Sequence, residues 1–155
     1  MQDTAVLEAV EITNQDKIRY LKRFIILDRE IDRKLKEISR WRGMLGKVTS
    51  VYTSELKGGG SIYGKAEDII AKIVDLEQEV NNDVDRLVDV RREIGQVIEA
   101  VEDDRERLLL QYRYLDGRTF EWIAAGMNYS WRHTHRLHST ALSGIKIKEV
   151  IECHI

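Results

Sequence analysis

Between Ser130 and Ser139 the chain strings together Trp131, Arg132, His133, His135, Arg136 and Ser139, hydrogen-bond donors with one large aromatic among them. On a helix these positions oppose Thr134, Leu137, Ala141 and Leu142, which recur at helical spacing as one inward face. A helix so divided suits the major groove of a duplex, where Arg grips a guanine edge with two parallel hydrogen bonds and Ser or His bonds to bases or phosphates. Arg118 and Thr119 stand at the start of the preceding short apolar run, where a cation and free backbone N–H groups converge on a phosphate. The candidate DNA contacts are therefore Arg118, Thr119, Ser130, Trp131, Arg132, His133, His135 and Arg136. Trp131 carries two readings: contact with a thymine methyl or the sugar-phosphate wall, or a cover over the first helix of the module.

Other chemistries find less support. Glu102, Asp103 and Asp104 are adjacent carboxylates, but they fall at an expected helix start, where negative charge complements the helix dipole. His133, His135 and His138, with Cys153 and His154, supply metal-capable atoms, yet their spacing is unlike that of structural zinc sites. His133 and His135 diverge by about 200° around a helix. The run Gly58, Gly59 and Gly60 has no strand before it, which a phosphate cradle needs, and reads as a hinge. These patterns predict no catalytic residue, no metal and no cofactor, and a protein that is not an enzyme.

The elements that must hold the reading residues are legible nearby. Thr119 suits the N-cap of a short helix with Phe120, Ile123 and Ala124 inward, and the small Ala lets the next helix cross closely. Asn128 is the residue there best able to take positive φ in a tight turn, and Ser130 caps the helix that follows. The run RLLLQYRYLDGRTFEWIAAGMNYSWRHTHRLHSTAL resembles the region-4 helix-turn-helix of sigma-70-type factors. It departs from that pattern at Thr134, where such helices usually bury Val or Ile. Upstream, AKIVDLEQEVNNDVDRLVDVRREI and the glycine run are similar to small phage-encoded proteins that join long helices to this module, so the resemblance extends from about Leu27 to Leu142. It implies promoter recognition and RNA polymerase as a partner. Nothing in the chain resembles the aromatic-rich region with which complete sigma factors melt a promoter.

Upstream, two long heptad patterns dominate. Phe24, Ile31, Ile38 and Leu45 repeat at seven, with Leu27, Leu35 and Trp41 on the same face. Ile73, Val80, Leu87, Ile94 and Val101 do likewise, with Leu76, Val90 and Val97 filling the seam. Asp83 is the polar intruder: it either sets register inside the seam or turns to solvent while Val84 packs. With 34% charged residues and no proline, extended helices fit better than a sheet protein. The net charge of −2 hides an asymmetry, since residues 105–148 hold 8 basic and 3 acidic residues while residues 64–104 hold 5 and 13. No apolar run approaches the ~20 residues of a membrane span, the start lacks a signal-like core, and a single cysteine, Cys153, cannot form an internal disulfide.

The expected fold is all-α: a long antiparallel helical hairpin or coiled coil over residues 1–101, with a flexible loop near 47–64, then a helix-turn-helix domain at 102–145 and a tail at 146–155. The expected protein is a phage-type transcriptional regulator of the bacterial cytoplasm that binds double-stranded DNA. Its long helices are expected to self-associate or to hold a partner. The alternatives are a coiled-coil assembly or adaptor protein whose helix-turn-helix docks protein, and a DNA-binding phage packaging subunit.

Overall fold

The computed structural model describes residues 12–54 and 60–147. Five helices follow in order: α1 (Asn14–Ser54), α2 (Gly60–Glu99), α3 (Asp104–Tyr114), α4 (Phe120–Met127) and α5 (Trp131–Gly144). The fold is all-α, with two long helices ahead of a helix-turn-helix. Helix α1 starts where Thr13 and Asp16 exchange bonds: Asp16 accepts from the Thr13 N–H and hydroxyl, and the Asp16 N–H donates back to Thr13 Oγ1. Those donors hold the Asp16 carboxyl below its usual range. No described helix is long and apolar enough to cross a membrane.

The chain divides into two compact units, one of residues 24–93 and the other of the described residues on either side. In residues 24–93, α1 and α2 run antiparallel and bury Leu27, Ile31 and Ile38 against Ile69, Ile73 and Val80. Polar contacts follow the same register, with Arg91 over the Phe24 ring, Lys34 paired to Asp83 and Glu79, and Arg42 paired to Glu77. Asp83 stays in the seam: its side chain is 13% exposed and 2.7 Å from the Lys34 ammonium, whereas Val84 is exposed. The two carboxylates raise the Lys34 pKa, Asp83 the more strongly. Leu35, expected on the inward face, is half exposed, because Lys34 takes the position facing α2.

The helices also reach further into the expected loop than the glycines suggest. Gly43, Gly46 and Gly64 lie inside helices, and a Cβ at any of them would meet nothing within 4 Å. Each glycine costs roughly 1 kcal/mol of helix propensity, and Trp41, Leu45 and Val48 packing on the hairpin core outweighs it. Gly58 and Gly59 lie outside the described residues.

The other unit holds α3, α4 and α5, and its limit differs from the expected break at 101/102. It takes in α1 as far as Arg23 and α2 from Ile94. Leu21, Ile94 and Ile98, which belong to these segments, have no exposed surface.

Candidate nucleic-acid interface

The module is built from capped short helices. Asp103 caps α3 by accepting from the N–H groups of Arg105 and Glu106, at 2.8 and 3.3 Å, and its carboxylate also binds the Arg105 side chain. Those donors, the Arg105 guanidinium foremost, bring its pKa down to about 2. Helix α3 ends in a turn through Gly117, whose φ of 67° favours glycine. There the Arg118 N–H donates to the Tyr112 carbonyl and the Arg113 guanidinium donates to the Arg118 carbonyl. Thr119 Oγ1 then accepts from the Trp122 N–H and starts α4.

The tight turn between α4 and α5 rests on Asn128, the described non-glycine residue with positive φ, at φ 58° and ψ 41°. Tyr129 N–H closes the turn onto the Ala124 carbonyl at 2.9 Å. Ser130 is extended at φ −69° and ψ 152°, and its hydroxyl accepts from the His133 N–H. Ile123 and Ala124 of α4 are buried with Leu109 and Leu110 of α3 and with Leu137, Ala141 and Leu142 of α5. Thr134 is buried too, and its hydroxyl donates to the Ser130 carbonyl one turn back at 3.0 Å. A threonine there keeps the branched shape of valine and satisfies its own polar atom, so the packing direction of α5 is unchanged.

On the outer side of α5, Trp131, Arg132, Arg136, Ser139 and Thr140 are exposed and line a shallow concavity together with His135. Trp131 is 58% exposed and leans on His135 of its own helix, with ring centroids 4.0 Å apart, so it does not lie over α4 as a buried cover. His135 also meets Phe120 at 4.3 Å, and Arg113 lies over the Phe120 ring at 4.5 Å. A stack of four side chains thus fixes the start of the exposed ridge. His135 Nε2 is buried without a hydrogen-bond partner among the described residues. His133 is half-buried edge-on against Tyr129, which sets it apart from the exposed ridge. Arg118 lies over the Trp122 ring at 4.5 Å, at the start of α4 beside Thr119. The hydroxyls of Thr119 and Ser130 accept cap bonds and keep their protons as donors.

Two structural features escape sequence reasoning. His138, read above only as a possible metal ligand, is buried with its Nε2 2.8 Å from the Tyr114 hydroxyl. Burial, reinforced by the nearby Arg113, His135 and Lys22, pushes the His138 pKa down to about 4, while burial pushes Tyr114 up to about 12. The pairing consistent with both is the Tyr114 O–H donating to a neutral imidazole. Its only sequence signal is that His138 sits one residue after Leu137, on the flank of the inward face. The second feature is Lys17 of α1, whose ammonium binds the Leu142 carbonyl at 2.8 Å and caps the end of α5 from 125 residues away in sequence. Among the described residues no group of three His, Cys, Asp or Glu side chains is placed to hold a metal, and Cys153 and His154 lie outside them.

No curated protein and no solved structure matches the chain. Residues 103–146, which comprise α3, α4 and α5, match the family Sigma-70, region 4, and this C-terminal module is accordingly a region-4-like helix-turn-helix of the DNA-binding kind.

Proposed function

We propose that this protein is a phage-type transcriptional regulator that reads promoter DNA in sequence-specific fashion through α5. The observation that carries the reading is the exposed ridge of Trp131, Arg132 and Arg136 on a helix whose opposite side is buried and whose N-terminus is capped by Ser130. Arg132 and Arg136 bind base edges in the major groove. Trp131, held upright by His135, contacts a thymine methyl or the groove wall, and Ser130, His133 and His135 contribute at the margin. Arg118 and Thr119 position the module on the phosphate backbone from the start of α4.

The hairpin supplies self-association or contact with RNA polymerase. Ile70, Val74, Val84 and Val88 of α2 are exposed beside the seam, which supports a protein partner there and favours a homo-oligomer. The same observation supports the second reading, an assembly or packaging protein that uses the module to hold DNA without regulating transcription. Selection of bound sequences from a random duplex pool, followed by titration of the selected and scrambled duplexes at several salt concentrations, tests the proposal. A defined recovered sequence and salt-dependent binding are expected. Absent or salt-insensitive association would remove it.

A further inference from the structure

Helix α1 carries a line of cations on its outward side that the module's reading does not use. Arg29, Arg33, Lys36, Arg40 and Lys47 are spaced by four, three, four and seven, which keeps them on one face of a helix. That face points away from the buried Leu27, Ile31 and Ile38, and all five cations are exposed. None of the five has an ion-pair partner among the described residues. Most other hairpin cations are engaged: Lys34, Arg42, Arg86 and Arg92 pair with carboxylates, and Lys72 and Arg91 lie over Trp41 and Phe24. The intervening acids Glu30, Asp32 and Glu37 fall to either side of the line.

We propose that this line on α1 is a second phosphate-binding surface, which takes the backbone of duplex DNA. The inference rests on the reading of the module as a DNA binder. Five cations spread over about 27 Å of helix match an extended polyanion better than a small one. Three of the five are arginines, whose planar forks suit phosphate oxygens. A lipid surface would need an apolar strip beside the cations, but the apolar side of α1 is packed on α2, and the exposed Ile26, Met44 and Val51 that border the line are spaced too far apart along α1 to make one. An acidic protein would need a cluster of aromatic or aliphatic anchors, but Trp41 at the edge of the line is half-buried under the Lys72 ammonium and the exposed Ile26, Met44 and Val51 stand singly. The surface is assigned to the phosphate backbone and not to base edges. It adds affinity and salt dependence.

The test is binding of the full chain to selected and scrambled duplexes from 50 to 200 mM salt, comparing the wild type with the variant R29Q/R33Q/K36Q/R40Q and with Arg132→Ala. Each lost phosphate contact lowers the salt slope by about 0.9, so the quadruple variant should lose about 3.6 from the slope. Its affinity should therefore fall about a hundredfold less than that of the wild type over this range, with the preference for the selected duplex intact. Its helical circular dichroism and melting should match the wild type, since the four side chains are exposed and unpaired. An unchanged slope in a folded quadruple variant overturns the inference and leaves the module's reading standing if Arg132→Ala abolishes preference. A lowered slope with preference untouched by Arg132→Ala overturns the α5 reading and leaves the α1 surface standing. Loss of retention on anionic vesicles or on acidic polypeptides, with the DNA slope unchanged, assigns the cations to another partner and overturns the inference.

Discussion

The buried Tyr114–His138 pair makes the DNA-binding module acid-sensitive at a pH well above the usual carboxylate range. In the unfolded chain His138 takes up a proton near its ordinary pKa of 6.5, while in the folded protein it does so only near 4. Between those values the unfolded chain binds more protons, so stability rises with pH across the window and is lost as the solution is acidified from 6.5 toward 4. The groups facing His138 all favour the neutral form: Tyr114 donates to it, and Arg113, His135 and Lys22 repel a second positive charge. At about 1.4 kcal/mol per pH unit the full window is worth about 3 kcal/mol. That is a large part of the 5–15 kcal/mol typical of a domain, and corresponds to a melting point lower by roughly 10–20 °C at pH 4 than at pH 7. The assay is urea unfolding of the full chain at pH 7, 6, 5 and 4, together with an NMR titration of the His138 imidazole. His138→Gln, whose side-chain oxygen can accept the Tyr114 hydroxyl, should be less stable at pH 7 and should flatten the profile between pH 6.5 and 4. If the imidazole titrates near 6.5, or if His138→Gln retains the wild-type pH slope, the reasoning is wrong.

Other outcomes follow from single contacts. Asn128→Ala should cost about 1 kcal/mol because the position is left-handed, and Asn128→Gly should cost nothing, as read by chemical denaturation. Asp83→Leu alone should destabilise the hairpin by about 1–2 kcal/mol by depriving the largely buried Lys34 of its nearest partner, whereas Lys34→Leu with Asp83→Leu should be at least as stable as the wild type; equal losses for the single and double variants would count against the seam pairing. Arg132→Ala should reduce discrimination between the selected and a mismatched duplex by about 1–3 kcal/mol, while Arg118→Ala should weaken both duplexes alike in the same titration.

The turn chemistry of the module was legible because each residue there has a local reason. Thr119 and Ser130 cap helices through their own hydroxyls, Asn128 takes positive φ, and Ile123, Ala124, Thr134 and Leu137 obey helical spacing. The heptads of α1 and α2 were legible for the same reason, since burial of a seam imposes a period on the sequence. What stayed hidden depends on partners distant in the chain. Lys34 replaces Leu35 in the seam because Asp83 waits across the hairpin, and no pattern local to α1 reveals that. His138 is buried because Tyr114, 24 residues earlier, offers a hydroxyl at the right place. The glycines at 43 and 46 misled because propensity is a weak force beside the burial of neighbouring Trp41, Leu45 and Val48.

The extent of the family similarity and the extent of the folded unit are different things in this chain. Similarity covers 103–146, but the compact unit that contains it also takes in residues 12–23 and 94–102. The added segments are structural: Leu21, Ile94 and Ile98 are fully buried, Val101 nearly so, and the Val101 carbonyl accepts from the Arg107 guanidinium at 2.7 Å. Gln111 of α3 donates to Glu99 at the end of α2, and Lys17 closes the C-terminal carbonyl of α5. The two ends of the long helices therefore complete the core and caps of the helix-turn-helix module.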